Sequence, residues 1–394
     1  MESIAAHSDC PCGSGLTYAV CCGAAETDVP ASRGRVTAGG AIEVGQLTPS
    51  VVASLDAMDS VPDIFPVRID FAAASARLVK MSPRWYRDSV FLDSARIIGK
   101  YALDMDLPRF AAIADATQWR PTPMIFHTAF CGSTLMSQAL AGAFDSVPLR
   151  EPDILGNVMF YGRSADVSDE ERVVWLGRAM RLLSRRYSET QSAVVKANDY
   201  ANELMLPVLR WQADVPILFM YTPLDEFVAA CLKAENRRPW LRDRFRMVRD
   251  AAAQRFNDGA RFDLGVQLYA EMAAVYWAYN LALYLDAFEF APTRVRCLDF
   301  NRMLRAPTTM VAACGKFFDL APLPGVDRDA VVAELFGVYS KNTEFKYSPQ
   351  QREQDVAKLR ARFAREIDAA EIFARGLLGI EYPEPGLPGA LNAR

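Results

Sequence analysis

Ile125-Phe-His-Thr-Ala-Phe-Cys-Gly-Ser-Thr-Leu-Met136 is the stretch on which the reading of this chain turns. The apolar run Met124–His127 predicts a strand, Thr128 to Thr134 a small-residue turn, and Leu135–Ala143 a helix. Strand, turn and helix in that order aim backbone N–H groups at an anion. Gly132 permits close approach, while Ser133, Thr134 and Leu135 stand at the first helical N–H groups, two of them with hydroxyls. Gly-Ser-Thr also opens many helices merely as a cap, so the surroundings must decide.

Those surroundings alternate short apolar runs with longer helical patterns. Ser168 to Glu171 forms a capping box, with Val173, Leu176, Met180, Leu183 and Tyr187 at helical spacing behind it. Ala193–Lys196, Val215–Tyr221 and Arg294–Phe300 read as strands; about 225–234 and 264–287 read as helices. Ser348-Pro-Gln-Gln351 opens a last helix carrying Val356, Leu359, Phe363 and Ile367 on one face. Short strands separated by long helices predict an α/β domain with a parallel sheet covered on both faces. Ligands of such sheets sit at the carboxyl ends of the strands.

The division expected along the chain is a cysteine cluster at 1–23, a Gly/Ala/Ser/Thr/Pro-rich linker at 24–48, and a mixed α/β region at 49–120. The main domain follows at 121–380, with a tail at 381–394. Short strands and helices are expected around Phe65–Phe71 and Phe91–Tyr101.

With 394 residues, 51% hydrophobic and 23% charged, the chain has a globular rather than a disordered composition. Its net charge of −4 gives no overall field for nucleic acid or an anionic membrane. The apolar run from Glu271 to Asp286 is broken by Asn280 and is too short to span a bilayer. Met1–His7 lacks the basic and apolar regions of a signal peptide, so a cytoplasmic protein is expected.

Of the eight cysteines, Cys10, Cys12, Cys21 and Cys22 fall together as Cys-x-Cys-x8-Cys-Cys. Two close thiolate pairs joined by a turn offer Zn2+ four soft tetrahedral ligands; the alternative is a redox-labile cluster without metal. Cys10-Pro-Cys-Gly-Ser-Gly15 with Tyr18 resembles the SEC-C motif, a small zinc-binding module. The resemblance implies a structural Zn2+, closed off by four protein ligands, and a knuckle available to a protein partner. Leu16, Thr17, Ala19 and Val20 stand where that family usually carries lysines.

No Gly-x4-Gly-Lys-Ser/Thr occurs, which excludes a standard Walker ATPase. The loop at 125–136, then Leu149-Arg-Glu-Pro152, Val194-Val-Lys196, Phe219–Glu226 and Leu298–Leu304, resembles in order the P-loop sulfotransferase superfamily over about 121–345. That resemblance implies a P-loop NTPase-like, sulfotransferase-like fold and 3′-phosphoadenosine 5′-phosphosulfate (PAPS) as donor. It places Cys131, Gly132, Ser133, Thr134 and Leu135 at the phosphosulfate, and Arg150, Lys196 and, more loosely, Ser340 and Lys341 around the cofactor. Lys196 or Arg150 would stabilise the departing phosphate, and Glu151 or His127 would take the proton from a hydroxyl or amine of a small molecule, sugar or peptide. His127 as a buried structural histidine and Glu151 as an ion-pair partner are the alternatives; Asp299 reads as a brace for the helix after it.

Two departures bear on this. The superfamily's loop cation falls at Phe130, and its 3′-phosphate clamp falls at Thr222 and Ala230. Each charge-assisted phosphate contact is worth about 1.5–3 kcal/mol. Arg150, Lys196, Arg237, Arg238 and Arg242 are the residues that stand to compensate. The arginine-rich run from Glu235 to Arg249 is either such a grip or a solvated helix face with Asp243 and Asp250 as partners. The rival functions are therefore a P-loop transferase or nucleotide binder whose donor lacks a 3′-phosphate, and a pseudo-enzyme whose knuckle recruits a protein.

Overall fold

A computed structural model describes residues 34–35, 54–93, 97, 100–163, 166–235, 237–256, 269–339, 342–346, 349–378 and 386–392. The chain divides into two compact units, Met1–Pro123 with Asp145–Lys196, and Met124–Phe144 with Ala197–Arg394.

The first unit carries a four-stranded sheet in the order β1-β4-β3-β2, from β1 (Gly34–Arg35), β2 (Ile64–Asp70), β3 (Ser75–Lys80) and β4 (Lys100–Asp106). β2 and β3 form an antiparallel hairpin, and β1 pairs parallel to β4. The hairpin turn has Ala74 at φ 48° and the Asp70 carboxylate accepting from the Ala73 N–H at 2.9 Å. The helix Asp153–Gly162 packs on β2, and its Asn157 accepts from the Ile69 N–H at 3.0 Å. Ser168 caps the helix Asp169–Leu183 as expected, accepting from the Glu171 N–H at 3.2 Å. That helix buries Trp175, Leu176, Ala179, Met180, Leu182 and Leu183. Val173, expected on the buried face, is 49% exposed, and Tyr187 lies beyond the helix end.

The strand-forming runs of the sequence assemble into a five-stranded sheet, ordered β6-β7-β5-β8-β9. Its members are β5 (Met124–His127), β6 (Ser146–Arg150), β7 (Ser192–Lys196), β8 (Ile217–Tyr221) and β9 (Val295–Asp299). The pairs β6–β7, β5–β8 and β8–β9 are parallel. β5, β6 and β8 are buried along their whole length; β5 and β8 accordingly read as apolar runs rather than alternating ones, whereas β6, Ser-Val-Pro-Leu-Arg, does not declare itself as a strand. β5 is central, so the winding of the chain reverses at its carboxyl end, where ligands of open parallel sheets bind. The fold is an α/β parallel-sheet domain, as the sequence predicts.

In the second unit the helix Tyr269–Phe290 buries residues on every side, against the helices Arg237–Phe256 and Ala364–Leu378. The single last helix expected after Ser348 is two, Pro349–Arg362 and Ala364–Leu378, with buried Phe363 between them. Residues 386–392 run beside β9, with the Leu391 N–H donating to the Cys297 carbonyl at 2.8 Å. Among the described residues no helix is long and apolar enough to cross a membrane.

Candidate functional site

β5 delivers the chain into a turn whose backbone is left-handed three times: Ala129 at φ 68°, Phe130 at 53° and Gly132 at 72°. The helix Ser133–Ala143 starts at once, with Gly132 as its N-cap and no side chain capping it. Left-handed backbone costs about 1–2 kcal/mol at each non-glycine residue, so the turn must be held from outside. His127 does part of this. Its Nδ1 accepts from the Ala129 N–H at 3.0 Å, so the proton sits on Nε2, 3.1 Å from the Ala197 carbonyl. Asn202 clips the strand end, accepting from the His127 N–H at 3.3 Å and donating to its carbonyl at 2.9 Å. Asn202 is held in turn by Asn280 at 2.5 Å.

Gly132 is held sterically too. A Cβ there would lie 2.4 Å from Phe300 and 2.7 Å from Met303, so any side chain would displace both and would sit on a left-handed backbone that favours glycine. The four N–H groups of Gly132, Ser133, Thr134 and Leu135 find no acceptor among the described residues, and neither do the hydroxyls of Ser133 and Thr134. Yet Ser133 and Thr134 are only 5% and 4% exposed. Six donors in one nearly buried turn are a cradle for anionic oxygens.

The residues expected around this loop are distributed unevenly. His127 joins the loop as a brace, with both ring nitrogens engaged, so the ring offers no lone pair to an acceptor's proton. Asp299 caps the helix Phe300–Arg305, accepting from the Arg302 N–H at 2.9 Å, and burial raises its carboxyl above the ordinary range. Arg150, expected at the donor, is instead turned into the first unit. Its buried guanidinium donates to the carbonyls of Arg87 at 2.9 Å and Ser89 at 2.6 Å, where the short helix Pro83–Asp88 ends. Burial lowers its pKa to about 10. Glu151, left-handed at φ 56°, and the fully buried Lys196 face each other as an ion pair, and the Lys196 ammonium also lies 5.7 Å from the Phe91 ring centroid. Lys196 ends β7 in register with Arg150, the last residue of β6, and Glu151 follows Arg150.

After β8, Thr222 gives its carbonyl to the Trp277 indole N–H at 3.0 Å. Four residues on, Glu226 is buried and meets Asn301 at 2.8 Å and Arg352 at 2.5 Å, and Arg360 contacts both Glu226 and Asp225. The arginine-rich run becomes the helix Arg237–Phe256, and its members divide. Arg244 pairs with Asp199, Arg246 with Asp243, Arg249 with Asp250 and Arg255 with Asp286. Arg237 lies over the Phe130 ring, 4.5 Å from its centroid, and donates to the Ala230 carbonyl at 2.6 Å.

Sequence reasoning missed Glu226, Arg352 and the Asn202–Asn280 clip. Asn280 was visible as the polar break in an apolar run, which is the signature of a buried amide with a task. Cys10, Cys12, Cys21, Cys22, Ser340 and Lys341 lie outside the described residues.

The SEC-C motif family matches residues 8–24. No curated protein matches the chain. Among solved structures, the chain is similar to the sulfotransferase domain from the curacin biosynthetic pathway, at 10% identity and TM-score 0.35, over 63% of this chain and 99% of that one. It is similar also to the sulfotransferase from Alicyclobacillus acidocaldarius, at 18% identity and TM-score 0.32, over 66% and 97% of the two chains.

Proposed function

We propose that this chain is a sulfotransferase-like enzyme that moves a sulfuryl group from PAPS to a hydroxyl or amine of a small molecule, sugar or peptide. The observation that carries the reading is the set of six unpartnered donors in the buried turn 132–135. With four N–H groups and two hydroxyls already aimed, the turn needs no reorganisation to hold a phosphosulfate. Bound there, the donor supplies an activated sulfuryl group: the acceptor oxygen or nitrogen bonds to sulfur as the S–O bond to the 5′-phosphate breaks. The protein's own task is positioning and charge balance, as in phosphoryl transfer.

Glu151 and Lys196 enter the proposal as the pair that handles proton and charge. The Glu151 carboxylate would take the acceptor's proton, and the Lys196 ammonium would balance charge on the departing phosphate. Glu151→Gln and Lys196→Met are then expected to lower kcat while leaving the affinity for 3′-phosphoadenosine 5′-phosphate within a few-fold of wild type.

A second reading is favoured by one observation: Thr222 and Ala230 carry no charge themselves, and the neighbouring arginines Arg352 and Arg360 are taken by Glu226. A donor without a 3′-phosphate suits that end better. Thermal melts of the full chain with the 3′,5′-bisphosphate, AMP and ATP separate the two. A ligand at a hundred times its Kd adds about 2.7 kcal/mol. Selective stabilisation by the bisphosphate, removed by Ser133→Ala, supports the PAPS reading; stabilisation by AMP or ATP alone supports the second; no response refutes both.

The same reading gives Cys10, Cys12, Cys21 and Cys22 to a structural Zn2+, because four thiolates in two close pairs suit that soft tetrahedral ion. It also places the chain in the reducing cytoplasm, where those thiols persist. One zinc per chain, lost in a Cys21→Ser/Cys22→Ser variant, is the expected stoichiometry. Loss of partner association on deleting 1–23, with nucleotide binding intact, would mark the knuckle as a protein-recruiting surface.

A further inference from the structure

We propose that Arg237 is the cation that meets the ligand's anionic group at this loop, taking the place that the sequence leaves to Phe130. The inference rests on the donor-binding reading above and extends it by one residue. Of the three positions at which the sequence departs from a charged phosphate grip, Phe130, Thr222 and Ala230, the first and the last both contact this one side chain. The guanidinium lies over the ring of the first, at 4.5 Å, and donates to the carbonyl of the last, at 2.6 Å. Phe130 is itself fixed for this, left-handed at φ 53° with its ring 4.9 Å from Trp240 and 6.1 Å from Phe227.

An arginine over an aromatic face keeps its N–H groups at its edges, where a planar anion is met bidentately. Arg237 commits a single N–H donor to Ala230, and no carboxylate pairs with it among the described residues. Four other arginines of the same helix have acidic partners; among the described residues Arg238 and Arg242 have none and lie over the Tyr269 ring, so the unbalanced charge gathers in the first two turns of the helix. It is also electrostatically costly. Arg237 and Arg238 open a helix of 20 residues with no acidic side chain in its first turn, at the end where the helix dipole is already positive. Lys233 adds a third cation, its pKa lowered by burial and then by Arg237, with Asp355 opposing. Positive charge gathered beside a cradle of six donors, with no acid to balance Arg237, is arranged for a dianionic ligand group.

The test measures binding of 3′-phosphoadenosine 5′-phosphate to the full chain by titration calorimetry. Arg237→Gln is expected to weaken binding about 10–100-fold, the loss of one charge-assisted contact. Arg237→Lys, which keeps the charge and guards against a folding defect, is expected to lose less. Phe130→Arg added to Arg237→Gln returns a cation to the loop and is expected to recover most of the affinity, which a merely structural arginine would not allow. Unliganded melts check that each variant is folded. If Ser133→Ala loses affinity while Arg237→Gln matches wild type, the inference falls and the donor reading stands. A double variant no better than Arg237→Gln overturns the inference as well. If wild type itself does not bind the bisphosphate, both fall.

Discussion

Arg150 closes β6 with its guanidinium donating to the Arg87 and Ser89 carbonyls, whereas Arg237 opens its helix over Phe130 with one donor committed to Ala230. On the sequence Arg150 is the candidate that the resemblance places at the donor, and Arg237 only one of several arginines that stand to compensate. The first is almost wholly buried and is consumed by the end of a helix some sixty residues earlier; the second lies at the surface of an aromatic cluster. Position at a strand end therefore does not make a cation a ligand residue. What decides is whether backbone carbonyls or carboxylates have already taken its N–H groups. Lys196 is a third case, spent on Glu151.

Substitution should rank these three in stability opposite to their effect on ligand. The largest loss is expected from Lys196→Met, because it strands the Glu151 carboxylate at a buried pair, about 3–5 kcal/mol. Adding Glu151→Gln should return much of it, and an unchanged deficit would mean the lysine acts through packing rather than charge. Arg150→Met should cost about 2–4 kcal/mol, since it leaves at least two carbonyls at a buried helix end without donors. Arg237→Gln should change unliganded stability by less than about 1 kcal/mol, as no carboxylate loses a partner. Denaturant unfolding of the three variants, set beside their nucleotide affinities, checks the ranking; a large unliganded loss for Arg237→Gln would collapse the distinction.

Much of the fold is legible because its cause is local. β5, β7, β8 and β9 are short apolar runs bounded by turns, and the sequence reading places each within a residue or two of where it forms. The β2–β3 hairpin is not separable on paper: its turn, Phe71 to Ala74, has no glycine, asparagine or proline, and Pro66 interrupts the first strand. At the site, Gly132 and the hydroxyls behind it declare themselves by type. That His127 spends Nδ1 on the Ala129 N–H does not, because the contact depends on a left-handed backbone that alanine seldom adopts. Nor can composition say that an arginine 107 positions after Phe130 lies on its ring. Such facts arise only once distant segments have met.

The smallest effect contrasts Arg237 with an arginine whose acid partner is present. Arg178 grips Asp115 through Nε at 3.0 Å and a terminal nitrogen at 2.8 Å, joining the helices Leu107–Ala116 and Asp169–Leu183. The hydrogen bond from Arg178 holds the Asp115 carboxyl below its ordinary range, against some burial. A carboxyl depressed by folding adds stability above its unfolded pKa, and that stability is lost as pH falls through the folded value. Asp115 is 47% exposed, so solvent and salt screen the pair, and it stands at a helix C-terminus, where the dipole disfavours a negative charge. Asp115→Asn is accordingly expected to cost no more than about 1 kcal/mol at neutral pH and low salt. Wild type and variant should converge below the ordinary aspartate range and in about 0.5 M salt. A gap that persists there would assign the contact to the geometry of the Arg178 fork rather than to charge.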